Sequence, residues 1–164
     1  MGDPRRQKKM FKKPKRPFEK ERMAEELEYI GKYGLRNKRE FWKSRTTLGN
    51  WRNIARKSRS LPKARGIEVQ QELIQKLNRL GILGPEAEFE DVLLLTVEDV
   101  LKRRLQTFVY EKGLAKSIYQ ARQYITHGHI QVGGKKIDAP SYIVKTAEED
   151  LVAFHASSPL SASE

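Results

Sequence analysis

The 164-residue chain has no cysteine, which excludes disulfides, a thiol nucleophile and any zinc site built on thiolates. It also lacks long apolar runs. Hydrophobic residues make up 38% of the chain, and no stretch of them approaches the roughly 20 residues that span a bilayer. The basic start has no apolar core of the kind a signal peptide carries, so the expected location is the cytoplasm, with no membrane contact. No glycine-rich phosphate loop, dinucleotide turn or nucleophile elbow occurs, and Asp138 near His127 and His129 lacks the context of a triad. No catalytic residue, cofactor or metal is expected, and the chain has no room for a separate catalytic domain.

Negative charge is scarce in the first third. Residues 1–66 hold 22 Lys and Arg against 7 Asp and Glu, a net of 22 − 7 = +15, whereas residues 67–164 hold 11 against 14, a net of −3. The whole chain is +12 with a pI near 9.9, which predicts attraction to a polyanion. With no apolar run long enough to span a bilayer, nucleic acid is the better candidate than an acidic membrane.

Along the chain, residues 1–17 carry Arg5, Arg6, Lys8, Lys9, Lys12, Lys13, Lys15 and Arg16 among prolines. The composition fits equally a segment that orders on phosphates and a solvated tail or localisation signal. Met23, Leu27 and Ile30 recur at helical spacing, predicting an amphipathic helix from Phe18 to about Gly31 with its apolar side in the core and Glu21, Glu25 and Glu28 in water. From Arg36 to Arg65 basic residues recur every few positions around Phe41, Trp42 and Trp51, with Glu40 as the lone acid. Phosphates bind such cations regardless of sequence, and unpaired bases stack on aromatic faces. Trp51 and Ile54 read as the buried edge of a helix; Trp42 suits core and base stacking equally. Leu73, Ile74, Leu77 and Leu80 predict a helix over 67–80 with Gly81 as its stop. Glu86, Glu88, Glu90 and Asp91 read as a solvated or protein-facing loop rather than a metal site.

Thr96–Phe154 is the most structured stretch. Thr96 with Asp99 makes a capping box and predicts a helix to about Tyr110, with Val97, Val100, Leu101, Leu105 and Phe108 inward and Lys102, Arg103, Gln106 and Tyr110 outward. Ser117 with Gln120 starts a second helix that buries Ile118, Ala121 and Ile125, shows Tyr119, Arg122, Gln123 and Thr126 to solvent, and closes at Gly128. Gly133-Gly134 then joins two alternating runs into a hairpin, pairing Val132 with Lys135 and leaving His129, Gln131 and Lys136 on the outer face. Two more strands are expected at Ser141–Lys145 and Leu151–Phe154. Residues 102–136 hold 8 Lys and Arg against Glu111 alone, a net of +7, and the second helix's N-terminus beside Lys116 and Ser117 offers a phosphate seat.

These residues resemble a known family. Arg103-Arg-Leu-Gln-Thr107, Gly113-Leu-Ala-Lys-Ser117, Ala121-Arg122, His127-Gly-His-Ile130, Val132-Gly-Gly134 and Pro140-Ser141 look like the signature of the RNA-binding module named after the fourth small-subunit ribosomal protein. That module is also appended to RNA-modifying enzymes and a tRNA synthetase. The rest of the chain narrows the choice, because Arg16-Pro-Phe-Glu-Lys20, Tyr33-Gly-Leu-Arg-Asn-Lys-Arg-Glu40 and Val97–Thr107 resemble the archaeal and eukaryotic branch of that ribosomal family. Gly133-Gly134 stands where Asn-Gly is commonest, and both suit the same turn.

The expected fold is α+β: a basic, mostly helical N-terminal lobe (18–95), a small two-helix and β-hairpin RNA-binding module (96–154), and flexible tails at 1–17 and 155–164. The resemblance implies a structural protein that binds 16S-type small-subunit rRNA early and nucleates the subunit body. It further implies a position beside the ribosomal protein numbered five, near where mRNA enters, with an influence on decoding accuracy. The expected rRNA contacts are Arg36, Lys38, Arg39, Lys43, Arg45, Arg52, Arg56, Lys57 and Arg59 on one lobe. On the other they are Arg103, Arg104, Lys116, Ser117, Tyr119, Arg122, Gln123, His127, His129, Lys135 and Lys136.

Overall fold

The computed structural model describes residues 9–159; the first eight residues of the expected N-terminal tail and the last five of the C-terminal one lie outside the described residues. The protein is α+β, with a helical lobe followed by helices packed on a small antiparallel sheet. Helix α2 (Lys38–Ser58) organises the first lobe. Asn37 caps it, its side chain accepting from the Glu40 amide at 3.2 Å, which supplies one of the orphan donors of a helix start. Leu48, Trp51 and Ala55 of α2 pack with Leu73 and Leu77 of α3 (Lys63–Arg79) and with Val92 of the short α4 (Asp91–Leu94). Trp51 is buried as read, whereas Ile54 is 41% exposed.

Helix α1 (Lys20–Lys32) turns only part of the expected stripe inward: Met23 and Ile30 are half-buried, Ile30 packing on the cluster of Tyr33, Leu35, Phe41 and Leu101, whereas Leu27 is 59% exposed and the most buried side chain is Glu26, at 1%. The reason is the partner it meets. Glu26 accepts from Trp42 Nε1 at 3.0 Å and pairs with Arg22 and, at 3.3 Å, with Lys38, so α1 docks on the start of α2 through a buried carboxylate as well as through Tyr29, which stacks on Phe41 with centroids 5.3 Å apart.

The helix expected from Thr96 to Tyr110 is two helices. The capping box forms, the Thr96 amide donating to Asp99 Oδ2 at 2.8 Å, but α5 (Val97–Lys102) ends before Arg103 and α6 (Leu105–Glu111) starts after Arg104. Arg104 is extended (ψ 140°) and bridges to Ile143. The Leu105 amide donates to Tyr142 O at 2.7 Å and the Val144 amide to Arg103 O at 2.9 Å. Residues 141–145, expected as a strand, are thus used to break a helix and form no ladder with the sheet. The rotation across the break turns Gln106, read as outward, completely inside. Val100 and Leu101 of α5 pack into the clusters around α2.

Helices α6 and α7 (Ile118–Thr126) cover the sheet of β1 (Ile130–Val132), β2 (Lys135–Lys136) and β3 (Val152–Phe154), in the order β2-β1-β3. Leu105, Val109, Ala121, Ile125, Ile130, Val132, Val144 and Val152 form its core. The hairpin register is as read, Val132 opposite Lys135; Gly133 and Gly134 both take positive φ, 56° and 78°, the pairing a two-residue I′ turn requires.

Candidate nucleic-acid interface

The buried face of α2 is fixed by Phe41, Ser44, Leu48, Trp51, Ala55 and Ser58, so helical spacing sends its basic residues to the other side. Arg39, Lys43 and Lys57 fall along one flank and Lys38, Arg45, Arg52 and Arg56 along the other, with Trp42, Thr46, Gly49, Asn50 and Asn53 between. Arg36, Arg39, Lys43, Arg45, Arg56 and Lys57 are exposed and form no ion pair among the described residues. Three expected contacts are tied to protein groups. Lys38 pairs with Glu26, Arg52 donates to Leu95 O, and Arg59 pairs with Glu90 at 3.0 Å while lying over the Phe89 ring. Asp91, at the start of α4, accepts from the Glu88 amide at 2.8 Å and so ties down the acidic loop before the helix.

At the junction of the lobes stands Glu40. Its Oε2 accepts from Arg104 at 2.6 Å and its Oε1 from Arg122 at 2.6 Å; Arg122 also donates to Gln106 Oε1 at 3.1 Å. Gln106 in turn donates to Gly34 O at 2.9 Å and Ile118 O at 3.0 Å. Burial pushes the Glu40 carboxyl up, but the hydrogen bonds and charges of Arg122 and Arg104 outweigh it and hold the group below its usual range. Arg104 is 4% exposed, and burial draws its guanidinium below its ordinary value against the pull of Glu40. Arg104 and Arg122 therefore fasten the module to α2. Arg103 is likewise engaged, with Val144 O at 2.9 Å and Glu149 at 2.6 Å.

On α7 the side chains of Tyr119, Gln123 and, at its C-terminal end, His127 recur at four-residue steps and are all exposed, forming one stripe along the helix, and Lys116 is exposed just before its N-terminus. Its N-terminus is already capped: Ser117 Oγ accepts from the Gln120 amide at 3.2 Å, and Gln120 Oε1 accepts from the Lys116 amide at 2.8 Å. The stripe runs to the hairpin. The His127 and His129 rings stack with centroids 6.2 Å apart, His129 Nδ1 meets Ser158 Oγ at 3.0 Å, and Lys136 crosses Gly128 so closely that a Cβ there would lie 1.8 Å from its Cε. Lys135 and Lys136 are exposed beside them.

The chain matches the S4 domain family over residues 103–152. It is 50% identical over 159 residues to the small ribosomal subunit protein uS4 of Hyperthermus butylicus, covering 97% of this chain and 90% of that one. Identity to uS4 of Sulfolobus acidocaldarius is 49% over 160 residues (97% and 91%), and to uS4 of Methanothermobacter thermautotrophicus 47% over 160 residues (98% and 94%). The chain belongs to the uS4 family of small ribosomal subunit proteins. That family is structural, and the chain is not an enzyme. Among the described residues no helix is long and apolar enough to cross a membrane.

In this uS4 family member the structure also brings in residues that spacing did not single out. Glu26 and Gln106 are buried polar anchors: nothing marks Glu26 among the solvated glutamates, and Gln106, although part of the module's signature, is placed outward by an unbroken helical count. Asn50, Asn53 and Thr46 share the exposed sector of α2 with the cations; counting round the helix from Phe41, Leu48 and Ala55 would have found them.

Proposed function

We propose that this protein is a structural constituent of the small ribosomal subunit that binds 16S-type rRNA through a basic surface spanning both lobes. The observation that carries this is the exposed set on and just before α2 (Arg36, Arg39, Lys43, Arg45, Arg56 and Lys57), without ion pairs among the described residues and held in fixed relation to Lys116, Tyr119, Gln123, His127, Lys135 and Lys136 by the Glu40 junction. Two rigidly joined basic faces suit a junction of RNA helices, because cations placed at fixed separations read the shape of the phosphate backbone and not its sequence. In this reading Lys38, Arg52, Arg59, Arg103, Arg104 and Arg122 chiefly position the surface, His129 and Ser117 lie at its margins, and residues 18–95 and 96–154 act as two lobes joined through α5.

From the family we further infer that the protein joins early, nucleates the subunit body, and lies beside the ribosomal protein numbered five where mRNA enters, contributing there to decoding accuracy. Binding of the purified protein to its own small-subunit rRNA between about 0.1 and 0.5 M salt, with excess tRNA as competitor, tests the first step. Tight binding that survives competition is expected; equal binding of tRNA and rRNA would reduce the protein to a nonspecific polyanion binder. Reconstitution with the protein left out tests the second: later proteins should fail to join the body.

A further inference from the structure

Residues 9–17 run back along the exposed sector of α2. The Lys12 amide donates to Thr46 Oγ1 at 3.1 Å, Phe11 stacks on Trp42 with centroids 6.0 Å apart at 29°, and Arg22 donates to Arg16 O and Pro17 O at 2.9 and 2.8 Å. Between this strap and the helix lies a cavity of about 440 Å³, within the roughly 300–1,000 Å³ of small-ligand sites. Its walls include Trp42, Lys12, Lys13, Arg45, Asn50 and Asn53. Gly49 opens it further, since a Cβ there would meet nothing within 4 Å.

We propose that this cleft receives one unpaired nucleotide of RNA, its base against Trp42, its edge read by Asn50 and Asn53, and its phosphate held by Lys12, Lys13 and Arg45. The site rests on the rRNA-binding reading above and adds a base-recognising pocket to it. The Trp42 ring is held in place, its Nε1 donating to Glu26 at 3.0 Å and Phe11 stacked against it, so little rotamer freedom is lost when a base stacks. The side chains of Asn50 and Asn53 make no hydrogen bond among the described residues, leaving on each a donor and an acceptor for a base edge. Lys12, Lys13 and Arg45 form no ion pair among the described residues either. Splayed bases are recognised by this combination of an aromatic face, amide groups and free cations. An aliphatic partner would leave these charges unmatched, and a simple anion would leave the Trp42 face and the two amides unused.

The full-length protein is titrated with a single-stranded 12-mer oligoadenylate and, as a base-free anion, with inorganic polyphosphate, following tryptophan emission and affinity. Oligoadenylate should quench emission by stacking on Trp42, and polyphosphate, which has no base, should bind without quenching; Trp51 is buried, so Trp42 is the reporter. Trp42→Leu should abolish the quenching and weaken oligoadenylate about 5- to 150-fold while leaving polyphosphate unchanged, and Trp42→Phe should restore most of the loss. Asn50→Ala with Asn53→Ala, both at exposed positions, should weaken oligoadenylate about 5-fold with the fold intact. Oligoadenylate binding without quenching, or equal loss of both ligands in Trp42→Leu, would overturn the pocket and leave the electrostatic reading standing. Failure of the unaltered protein to bind rRNA at all would overturn both.

Discussion

Replacing Glu40 by alanine should unfasten the two lobes. The carboxylate is 18% exposed and serves Arg104, 5% exposed, and Arg122, 21% exposed, each at 2.6 Å. Removing one member of a buried pair typically costs about 3–5 kcal/mol, because the survivor is left charged without a partner. Arg122 can turn to water and to Gln106, whereas Arg104 is enclosed and its Nε already has no partner, so Arg104 dominates. We expect a loss of about 3 kcal/mol, which in a chain of this size lowers Tm by about 6–12 °C. Urea unfolding followed by far-ultraviolet circular dichroism measures it. The double variant Glu40→Ala with Arg104→Met removes the stranded charge and should recover at least about 1.5 kcal/mol, a coupling that independent sites do not show. A single-variant loss under about 1 kcal/mol, or strict additivity in the double variant, would refute the view of Glu40 as the tie between lobes.

Combined alanine substitution of Arg39, Lys43, Arg45, Arg56 and Lys57 should flatten the slope of log K against log salt by up to about 4, at roughly 0.7–0.9 per lost phosphate contact, with each change moving stability by no more than about 0.5 kcal/mol; an unaltered slope would remove these residues from the interface. Gln106→Leu should cost about 2 kcal/mol, because the carbonyls of Gly34 and Ile118 lose their donor inside the protein, and a neutral result in urea unfolding would refute that role. At Glu26, burial raises the carboxyl while Trp42, Arg22 and Lys38 lower it further, so it too lies below its ordinary 4.5 in the folded state. A lowered folded pKa gives stability that is complete above the unfolded value and is lost as pH falls through the folded one. The urea midpoint should therefore be level from pH 7 to about 5 and fall below 4.5, less steeply in Glu40→Gln; a midpoint that rises on acidification would contradict the sign.

The local signals in the sequence were strong where the chain makes its own structure. The Thr96–Asp99 box, the Ser117–Gln120 cap and the Gly133-Gly134 turn each involve partners within four residues, so their spacing suffices. The break between α5 and α6 was illegible for the opposite reason. Arg103-Arg104 carries no helix breaker, and what extends it is pairing with residues 142–144, some forty positions away. The same holds for α1: an apolar residue at the expected interval, Leu27, is left in water while Tyr29 and Ile30 take the apolar contact, because beside Phe41 the surface that α1 meets presents Trp42 and Lys38, which ask for a carboxylate. Periodicity reads a face correctly only when the opposing surface is apolar.

The candidate surface follows that logic with charge. In sequence, an arginine bound to a distant carboxylate looks the same as one facing solvent, so Arg104 and Arg122 stood beside Arg39 and Lys43 as equal candidates. What separates them is the supply of acids. Between residues 36 and 65 the only carboxylate is Glu40, and it has been placed on the side of α2 turned to the module, where Arg104 and Arg122 reach it. A lone acid in a basic stretch that served merely to dilute charge would gain most on the exposed sector, among the cations it could screen. Set at the edge of the buried face, it instead leaves that sector wholly positive and orients it. The lone acid is therefore the residue from which the direction of the basic face can be read, and moving the carboxylate to position 43, with Glu40→Gln and Lys43→Glu, should weaken rRNA binding and flatten its salt slope more than Glu40→Gln alone.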